Sequence, residues 1–387
     1  MSASKEPSAK RARLSLQVGS APEYFLVGER QEALRFFSRS KAACIRSTLA
    51  RLREEGTLQP LLQSLKAASP VLVTGSSAAL VEVFRANGVR CRGFDLAAAG
   101  TTDVVGCASD LAALRSAAAG CRSVVHAAAL HAPHLGSTNF YSAEDFELVN
   151  ISGTRNVISV VKETPMLGMV FSSTTSLMNT AEAKRRAACE VIVQVASEDY
   201  GTPRNAYGVT KKAAEQACLR EAGMNVAVLR CSRFFVEDAY DTSAAPEDRA
   251  ANDPDGRVKA LELLCGTRAS LEDVLIAHVA ALSRVCGTWS TSTQPAPVQA
   301  VRGPLIVSAI SPLVDIAAQG VCTSSVEGAR DMYESLGWAL PDKRCGRVLD
   351  SRKTWEALEL TPKWNFERLV KAWRSARDGA AIKSGQY

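Results

Sequence analysis

A strand–turn–helix–strand unit between residues 69 and 95 constrains the fold of this chain more than any other feature. An apolar run over residues 71–74 ends at Gly75, a helix-like segment over residues 78–87 follows, and a second strand ends in Asp95. Units of this kind belong to doubly wound parallel sheets, in which a helix N-terminus faces a pyrophosphate and the acid faces ribose hydroxyls. The sequence therefore predicts a parallel α/β fold with a dinucleotide site.

The turn after the first strand lacks most of the glycines of such sites. Gly75 is present where three glycines are usual, and the turn contracts to Gly75-Ser76-Ser77-Ala78. The hydroxyls of Ser76 and Ser77 are candidates to replace the lost backbone contacts, and one of them is expected to be the N-cap of the helix. Two hypotheses stay open: a weakened nucleotide site, and a doubly wound sheet that no longer binds nucleotide.

The alternation of strands and helices continues to about residue 230. Residues 122–129 predict a buried strand that runs into Ala127, Ala128 and Ala129, where small side chains let a cofactor lie close. His126 in this strand is predicted to be a packed side chain rather than a catalyst. The next strand, predicted over residues 166–171, ends in the hydroxyl side chains of Ser172, Ser173 and Thr174.

Other segments carry weaker patterns. A helix is predicted over residues 143–162, and the internal Gly153 needs a packing reason. The polar stretch 231–259 predicts a long loop. Beyond it, the sequence predicts helices over 260–264, 271–282, 327–338 and 353–377 and a strand over 304–310.

The segment over residues 203–215 is the main candidate for chemistry. Tyr207 and Lys211 lie four residues apart in a run of helix formers, so both project from one helix face. A nearby ammonium can lower the pKa of a phenol from about 10 and let it move a proton at neutral pH. Because such a pair also occurs by chance, its meaning depends on the nucleotide unit and on a hydroxyl from Ser172–Thr174 beside it.

Composition excludes several classes of protein. Hydrophobic residues make up 47% and charged residues 22% of the chain, which is ordinary for a globular protein, and no apolar run has the length of a membrane span. The net charge of +6 is mild and partly N-terminal, so it does not indicate nucleic-acid binding. Eleven scattered cysteines lack metal-site spacing and predict reduced thiols in an intracellular protein, with no metal site.

Taken together, the motifs resemble those of the extended short-chain dehydrogenases/reductases, in the NAD-dependent epimerase/dehydratase family. The resemblance spans residues 71–373 and rests on VLVTG at 71–75, Phe94-Asp95, HAAA at 126–129, NISGTRNV at 150–157, VFSST at 170–174, NAYGVTK at 205–211, LR at 229–230, LEDVLIAH at 271–278 and LELTPKWNFERLVKAW at 358–373. Segments at 233–235, 261–264 and 306–309 are similar to a branch of NAD(P)-dependent oxidoreductases. This resemblance does not identify a substrate.

The resemblance implies roles for individual residues. Tyr207 is expected to be the general acid/base, Lys211 to hold the nicotinamide ribose and lower the tyrosine pKa, and Thr174 to position the substrate oxygen, with Ser173 as the alternative. The expected cofactor-binding residues are Gly75, Ser76, Ser77, Asp95, Ala127, Ala128, Ala129, Asn150, Ser172, Tyr207 and Lys211. The expected cofactor is NAD, because Asp95 would repel the 2′-phosphate of NADP; Arg90 and Arg92 could weaken that repulsion, so NADP stays the alternative.

Three features depart from the family pattern. Two loop glycines are missing, Cys107 stands where an adenine-contacting aspartate is usual, and Val236-Glu237-Asp238 replaces a common Gly-Pro. The first two fall on the nucleotide side, so they bear on cofactor affinity more than on Thr174, Tyr207 and Lys211.

The sequence therefore predicts an α/β protein in three parts. These are an N-terminal extension with a basic tail and helices (1–68), a Rossmann domain with a doubly wound parallel sheet (69–232) and a smaller, discontinuous C-terminal substrate region (233–387). Residues 1–22 predict a plain disordered tail, with a basic nuclear signal or part of an organelle transit peptide as alternatives. The protein is expected to be cytoplasmic, or organellar if the tail is a transit segment.

The predicted function is hydride transfer between nicotinamide and a carbinol or ketone carbon of a small molecule. Reduction, epimerisation and dehydration all stay open, and a homodimer is compatible with the sequence. The rival hypothesis is a non-catalytic family member that serves as a structural or regulatory subunit and keeps a vestigial nucleotide site.

Overall fold

The computed structural model describes residues 52, 56, 58–75, 79–131, 141–221, 223–235, 260–288, 301–318, 330, 333–334 and 346–368. Several predictions lie outside these residues. They concern the basic tail, the roles of Ser76 and Ser77, the departure at 236–238 and most of the helix at 327–338.

Within the described residues, the central sheet has seven parallel strands. They are β1 (Val71–Thr74), β2 (Cys91–Asp95), β3 (Val104–Val105), β4 (Ser123–His126), β5 (Gly168–Thr174), β7 (Val226–Cys231) and β10 (Pro304–Val307). Their order is β3-β2-β1-β4-β5-β7-β10. The chain winds outward in both directions from the β1–β4 pair, and ligands of such sheets bind at the carboxyl ends of the strands beside this reversal. The doubly wound prediction is confirmed.

Two small parallel pairs lie outside the central sheet. β6 (Ile192–Gln194) pairs with β11 (Arg347–Leu349), and β8 (Arg233–Phe235) pairs with β9 (Arg268–Ser270). The prediction of an uninterrupted loop after Cys231 is therefore wrong at its start. The polar composition of residues 231–259 gives no strand signal there, and β8 forms by pairing with β9. The proposed limits of the three parts of the chain remain predictions.

Helices cover both faces of the sheet. In chain order they are α1 (Gln59–Leu65), α2 (Leu80–Ala86), α3 (Leu111–Ala118), α4 (Ala143–Phe146), α5 (Gly153–Glu163), α6 (Ala181–Cys189), α7 (Ala206–Arg220), α8 (Leu271–Val285), α9 (Leu313–Ala318) and α10 (Arg352–Leu358). None of the helices in the described part of the chain is both long and apolar enough to cross a membrane.

Side-chain alternation along the strands builds two cores. Val71 and Val73 pack with α1, α2 and α8 on one face. Leu72, between them, packs with α3, α5 and α7 on the other face. Successive strand residues point to opposite faces, so a strand with helices on both sides is apolar throughout. All of α8 is buried, because it lies between the sheet and the outer helices α1 and α10.

Two helix predictions are corrected, and a third lies outside the described residues. A π-helical stretch, Glu147–Ser152, separates α4 from α5 inside the predicted helix 143–162. The N-cap of α2 in the described residues is Ala79, which makes no side-chain capping bond; Ser76 and Ser77, predicted as the N-cap, lie outside those residues. The predicted helix 353–377 breaks after Leu358, because Glu359 adopts a left-handed backbone with φ 54°.

The packing reason for Gly153 is confirmed. A Cβ at this position would lie 3.0 Å from Cβ of Ala108, so the start of α5 lies directly against the loop that follows β3. A larger residue would push α5 away from this loop.

The segment after α10 returns to the start of α8. Oδ1 of Asp273 accepts the backbone N–H of Lys363 at 2.6 Å, and Glu272 accepts Nζ of Lys363 at 2.7 Å. Glu272 also accepts Nε1–H of Trp364 at 3.0 Å. These buried carboxylates connect the LEDVLIAH segment to the KWNF segment, although the two are far apart in the sequence.

Candidate active site

Helix α7 carries both residues of the predicted acid–base pair. The helix begins at Ala206, because the side chain of Asn205 caps it by accepting the N–H of Gly208 at 2.8 Å. Tyr207 and Lys211 then lie one turn apart, and both are buried, with 8% and 2% of their surface exposed. The structure confirms that they share the helix face that packs on the sheet.

Thr174 is the hydroxyl that meets the phenol. Its Oγ1 accepts the N–H of Ser176 at 3.1 Å, and its side chain lies close enough to the phenol of Tyr207 to act in the direction of a lower tyrosine pKa. The hydroxyl of Ser173, the alternative from sequence, instead donates to Oε2 of Glu215 at 2.6 Å. The hydroxyl of Ser173 is therefore engaged by Glu215, and Thr174 is the one of the two that acts on the phenol.

Burial dominates the electrostatics of the pair. Desolvation raises the pKa of Tyr207 to about 12, although the hydrogen bond from Thr174 acts in the lowering direction. Desolvation also lowers the pKa of Lys211 to about 8. The sequence-based expectation of a lowered tyrosine pKa is therefore not met. The free-energy cost of burying a phenolate exceeds the stabilisation that the surrounding groups give it. Nζ of Lys211 lies 4.0 Å from the centroid of the Phe171 ring, a cation–π contact that favours the charged amine.

Gly75 lies at the end of β1, where the backbone comes very close to the residues that follow β4. Its φ is 74°, and a Cβ placed there would lie 2.7 Å from the backbone N of Ala128 and 2.8 Å from the carbonyl C of Ala127. Only glycine combines a left-handed backbone with this clearance. Ala127, Ala128 and Ala129 are half-buried. At the point between β1 and β4 where the winding of the sheet reverses, none of these four residues has a side chain larger than a methyl group.

Asp95 lies half-buried at the end of β2. Its Oδ1 accepts the N–H of Ala97 at 3.2 Å. The guanidinium of Arg92 is directed to the end of α3, where Nη1 donates to the carbonyl oxygens of Ala117 and Ala119, each at 2.7 Å. Arg92 is therefore engaged elsewhere, while Arg90 is exposed.

Cys107 is buried beside this part of the sheet. Its Sγ accepts the hydroxyl of Ser109 at 3.0 Å, and burial raises the pKa of the thiol. A neutral thiol thus stands where the family resemblance would place a carboxylate.

His126 is a packed structural residue, as predicted. It is fully buried, and desolvation lowers its pKa to about 3. Thr154 donates to the carbonyl O of Asn150 at 2.7 Å, so its Oγ1 accepts Nε2–H of His126 at 2.9 Å. Nδ1 of His126 then accepts the hydroxyl of Thr74 at 2.6 Å. A neutral imidazole with its proton on Nε2 satisfies every group in this chain.

Comparison with known proteins finds a similar family. Residues 71–249 match the sequence model of the NAD dependent epimerase/dehydratase family. Over these residues the chain is similar to that family. No protein of curated function matches the sequence significantly.

One solved structure supports the fold, and two others are reported as similar. A short-chain dehydrogenase/reductase superfamily protein from Agrobacterium tumefaciens with bound NAD is 19% identical, covers 82% of this chain and 99% of its own, and has a TM-score of 0.52. A UDP-galactose 4-epimerase is 19% identical, with 81% and 99% coverage and a TM-score of 0.47. Uronate dehydrogenase from Agrobacterium tumefaciens is 16% identical, with 79% and 88% coverage and a TM-score of 0.47. Only the first is similar enough to support the fold.

Asn150 and Ser172, which the family resemblance assigned to cofactor binding, are hydrogen-bonded to other parts of the protein. Asn150 accepts the N–H of Leu130 at 2.8 Å, and its Nδ2 donates to the carbonyl O of Leu130 at 3.1 Å and to Oγ1 of Thr210 at 3.0 Å. It thereby ties the loop after β4 to α7. Ser172 donates to Nε2 of His278 at 2.7 Å, since Nδ1–H of His278 donates to a backbone carbonyl of α8. Their contacts to a cofactor remain predictions.

Sequence reasoning missed three residues near the site. The ring of His131, an exposed residue in the loop after β4, lies 5.8 Å from the ring of Tyr207. Glu215 and Arg230 form a buried ion pair behind the site, with Nη2 to Oε1 at 2.6 Å. Glu215 follows Lys211 by four residues, so helical spacing offered a signal for it. The partnership with Arg230 depends on how α7 packs on β7.

Proposed function

We propose that this protein is an NAD(H)-dependent oxidoreductase of the epimerase/dehydratase type, which moves hydride between nicotinamide and a carbinol or ketone carbon of a small molecule. The observation that carries the proposal is the burial of Tyr207 and Lys211 on one face of α7, beside Thr174 at the carboxyl end of β5. Lys211 lies one turn further along α7. A phenol, a hydroxyl and an amine meet at the sheet edge where ligands of such folds bind.

The residues at this edge fit a dinucleotide. Gly75, Ala127 and Ala128 keep the ends of β1 and β4 clear of bulky side chains, and Asp95 offers a carboxylate at the end of β2. These residues and Lys211 would hold NAD. When bound, NAD would supply the hydride acceptor or donor. We expect NAD rather than NADP, because Asp95 would repel a 2′-phosphate and Arg92 is committed to α3.

The side chains suit proton transfer to a carbonyl oxygen. With its pKa raised to about 12, the phenol of Tyr207 is protonated at neutral pH and has a proton to donate. Thr174 would hold the same oxygen by a second hydrogen bond. In the reverse direction Tyr207 would accept the hydroxyl proton, and the charged form of Lys211 would favour the resulting phenolate.

Two measurements test this function. Calorimetry with NAD⁺, NADH, NADP⁺ and NADPH should show binding, and a screen of hydroxylated and carbonyl metabolites at 340 nm should find one that changes the reduced-cofactor signal. Tyr207→Phe is the control, because it should keep binding and lose turnover. A wild-type chain that binds none of the four nucleotides would contradict the proposal and favour the non-catalytic subunit.

A further inference from the structure

Helix α7 carries Tyr207 and Lys211, and its first turn lies against the segment that follows β5. A Cβ at Gly208 would lie 3.2 Å from the carbonyl oxygen of Ser176, so the two backbones approach each other closely at this point. Ser176 is also the residue whose N–H is accepted by Oγ1 of Thr174 at 3.1 Å. The start of the helix is thus held close to the turn that Thr174 caps.

A buried cluster holds the same helix about two turns further along. Ser173, the residue before Thr174, donates its hydroxyl to Oε2 of Glu215 on α7 at 2.6 Å. Arg230 of β7 binds the same carboxylate, with Nη2 2.6 Å from Oε1 and with Nε 3.1 and 3.2 Å from the two oxygens. The side chains of Arg230 and Glu215 are 9% and 3% exposed. Ser173, Glu215 and Arg230 together form what we call the anchor cluster.

The anchor cluster connects four parts of the chain. Ser173 and Arg230 are register partners in the β5–β7 ladder, so their side chains reach α7 from neighbouring strands. Nη1 of Arg230 donates to the carbonyl oxygen of Ala196 at 3.0 Å, in the segment between β6 and α7. A two-pronged contact between a guanidinium and a carboxylate is directional as well as strong. The cluster therefore fixes the position of α7 as well as stabilising its packing.

Tyr207 and Lys211 lie between the two points of contact. An α-helix is a rigid element with a fixed rise per residue, so contacts at Gly208 and at Glu215 together fix how far α7 can slide or rotate on the sheet. Both contacts lead to the short segment of chain that contains Thr174. The position of the phenol relative to Thr174 is therefore set from both sides.

We propose that the anchor cluster sets the register of Tyr207 with Thr174, and that Ser173 is a positioning residue rather than the residue that holds the substrate oxygen. The importance of this register for turnover rests on the proposed function. A displacement of about 1 Å in an active site can lower the rate by about 10²-fold. Loss of the cluster should therefore lower kcat more than it changes KM, because its members act on the reaction through Tyr207.

The direct test is the NMR signal of the Tyr207 ring in the full-length protein without ligands. The chain has seven tyrosines, and the Tyr207 signal is assigned from its loss in Tyr207→Phe. Ser173→Ala removes one hydroxyl and leaves the ion pair in place, so it should fold and should shift this signal. The double variant Glu215→Gln/Arg230→Met should shift it further, because it removes the ion pair without leaving a buried charge unpaired. An unchanged Tyr207 signal in either variant, once circular dichroism has verified its fold, overturns the proposal.

The control is Glu359→Gln, which removes the carboxylate of another buried ion pair. Nη1 of Arg284 lies 3.0 Å from Oε1 of Glu359, and the two side chains are 3% and 15% exposed. Arg284 is on α8, which packs on the face of the sheet opposite α7. This variant should lose stability in urea unfolding and leave the Tyr207 signal unchanged. If it shifts that signal as much as the double variant does, the shift reports general loosening of the fold, and the positioning role is wrong.

Turnover separates this proposal from the proposed function. With the substrate found in the metabolite screen, Ser173→Ala should lower kcat by about tenfold and leave KM within a few-fold. A wild type that binds no NAD⁺ contradicts the proposed function, while the Tyr207 signals of the ligand-free variants still decide whether the cluster sets the register. A shifted Tyr207 signal with unchanged kcat would show that the reaction does not depend on this register, and would overturn that part of the proposal.

Discussion

Gly75→Ala tests whether the close approach of β1 and β4 builds the nucleotide edge. Gly75 has a φ of 74°, and an added Cβ would lie 2.7 Å from N of Ala128 and 2.8 Å from C of Ala127. Both are backbone atoms of a chain held by the parallel ladder between β1 and β4, so neither can rotate away. The new methyl group must push the two strand ends apart.

The cost has two parts. A left-handed backbone costs an alanine about 1–2 kcal/mol. Forcing a methyl group into a packed site adds about 1–3 kcal/mol. The free energy of unfolding should therefore fall by about 2–5 kcal/mol, which is a large fraction of the stability of a typical protein.

Gly120→Ala is a matched control. Gly120 has the same φ of 74°, and a Cβ there would meet nothing within 4 Å. This variant should show only the backbone cost of about 1–2 kcal/mol. The difference between the two variants, about 1–3 kcal/mol, then isolates the contact with Ala127 and Ala128.

Urea unfolding followed by far-ultraviolet circular dichroism measures both variants, with equal m-values as the condition for comparison. Calorimetry with NAD⁺ adds a functional readout: Gly75→Ala should weaken binding, and Gly120→Ala, at an exposed turn, should not. Equal destabilisation of the two variants, or unchanged NAD⁺ affinity in Gly75→Ala, would refute the close-approach argument.

Three further predictions concern the same site. Tyr207→Phe should lower kcat by about 10²–10⁴-fold and leave the Kd for NAD⁺ within a few-fold, because it removes a group that acts in proton transfer. A near-native rate of this variant on the identified substrate would contradict the mechanism. Competition titrations should show tighter binding of NAD(H) than of NADP(H), and Asp95→Asn should reduce the difference; a preference for NADP(H) contradicts the role of Asp95. Burial lowers the pKa of His126 from 6.5 to about 3, so the stability that depends on its neutral form is complete above pH 6.5 and is lost as pH falls towards 3. Wild type should thus lose stability on acidification more steeply than His126→Gln, by up to about 1.4 kcal/mol per pH unit between those values, and parallel curves from urea unfolding would rule this out.

The sequence by itself determined the parts of this protein that depend on local periodicity. Apolar runs bounded by glycines and alternating with helical segments predict the doubly wound sheet, and the structure has it. The spacing of Tyr207 and Lys211 predicts a shared helix face, because 3.6 residues per turn is a property of any α-helix. The burial of His126 follows in the same way from the continuous apolar strand around it.

The tertiary structure decides which of the contacts that the sequence allows are formed. Ser173 and Thr174 are equivalent in sequence, and in the structure Ser173 donates to Glu215, whereas Thr174 accepts the N–H of Ser176 and lies near Tyr207.

The charges at the site also depend on tertiary structure. Local spacing placed an amine beside a phenol and predicted a lowered tyrosine pKa, yet the pKa of Tyr207 is raised to about 12. Spacing along a helix says which groups are neighbours, whereas the cost of charging them depends on how much water the surrounding elements exclude. That exclusion, and the Glu215–Arg230 pair built between α7 and β7, arise only when the helix packs on the sheet.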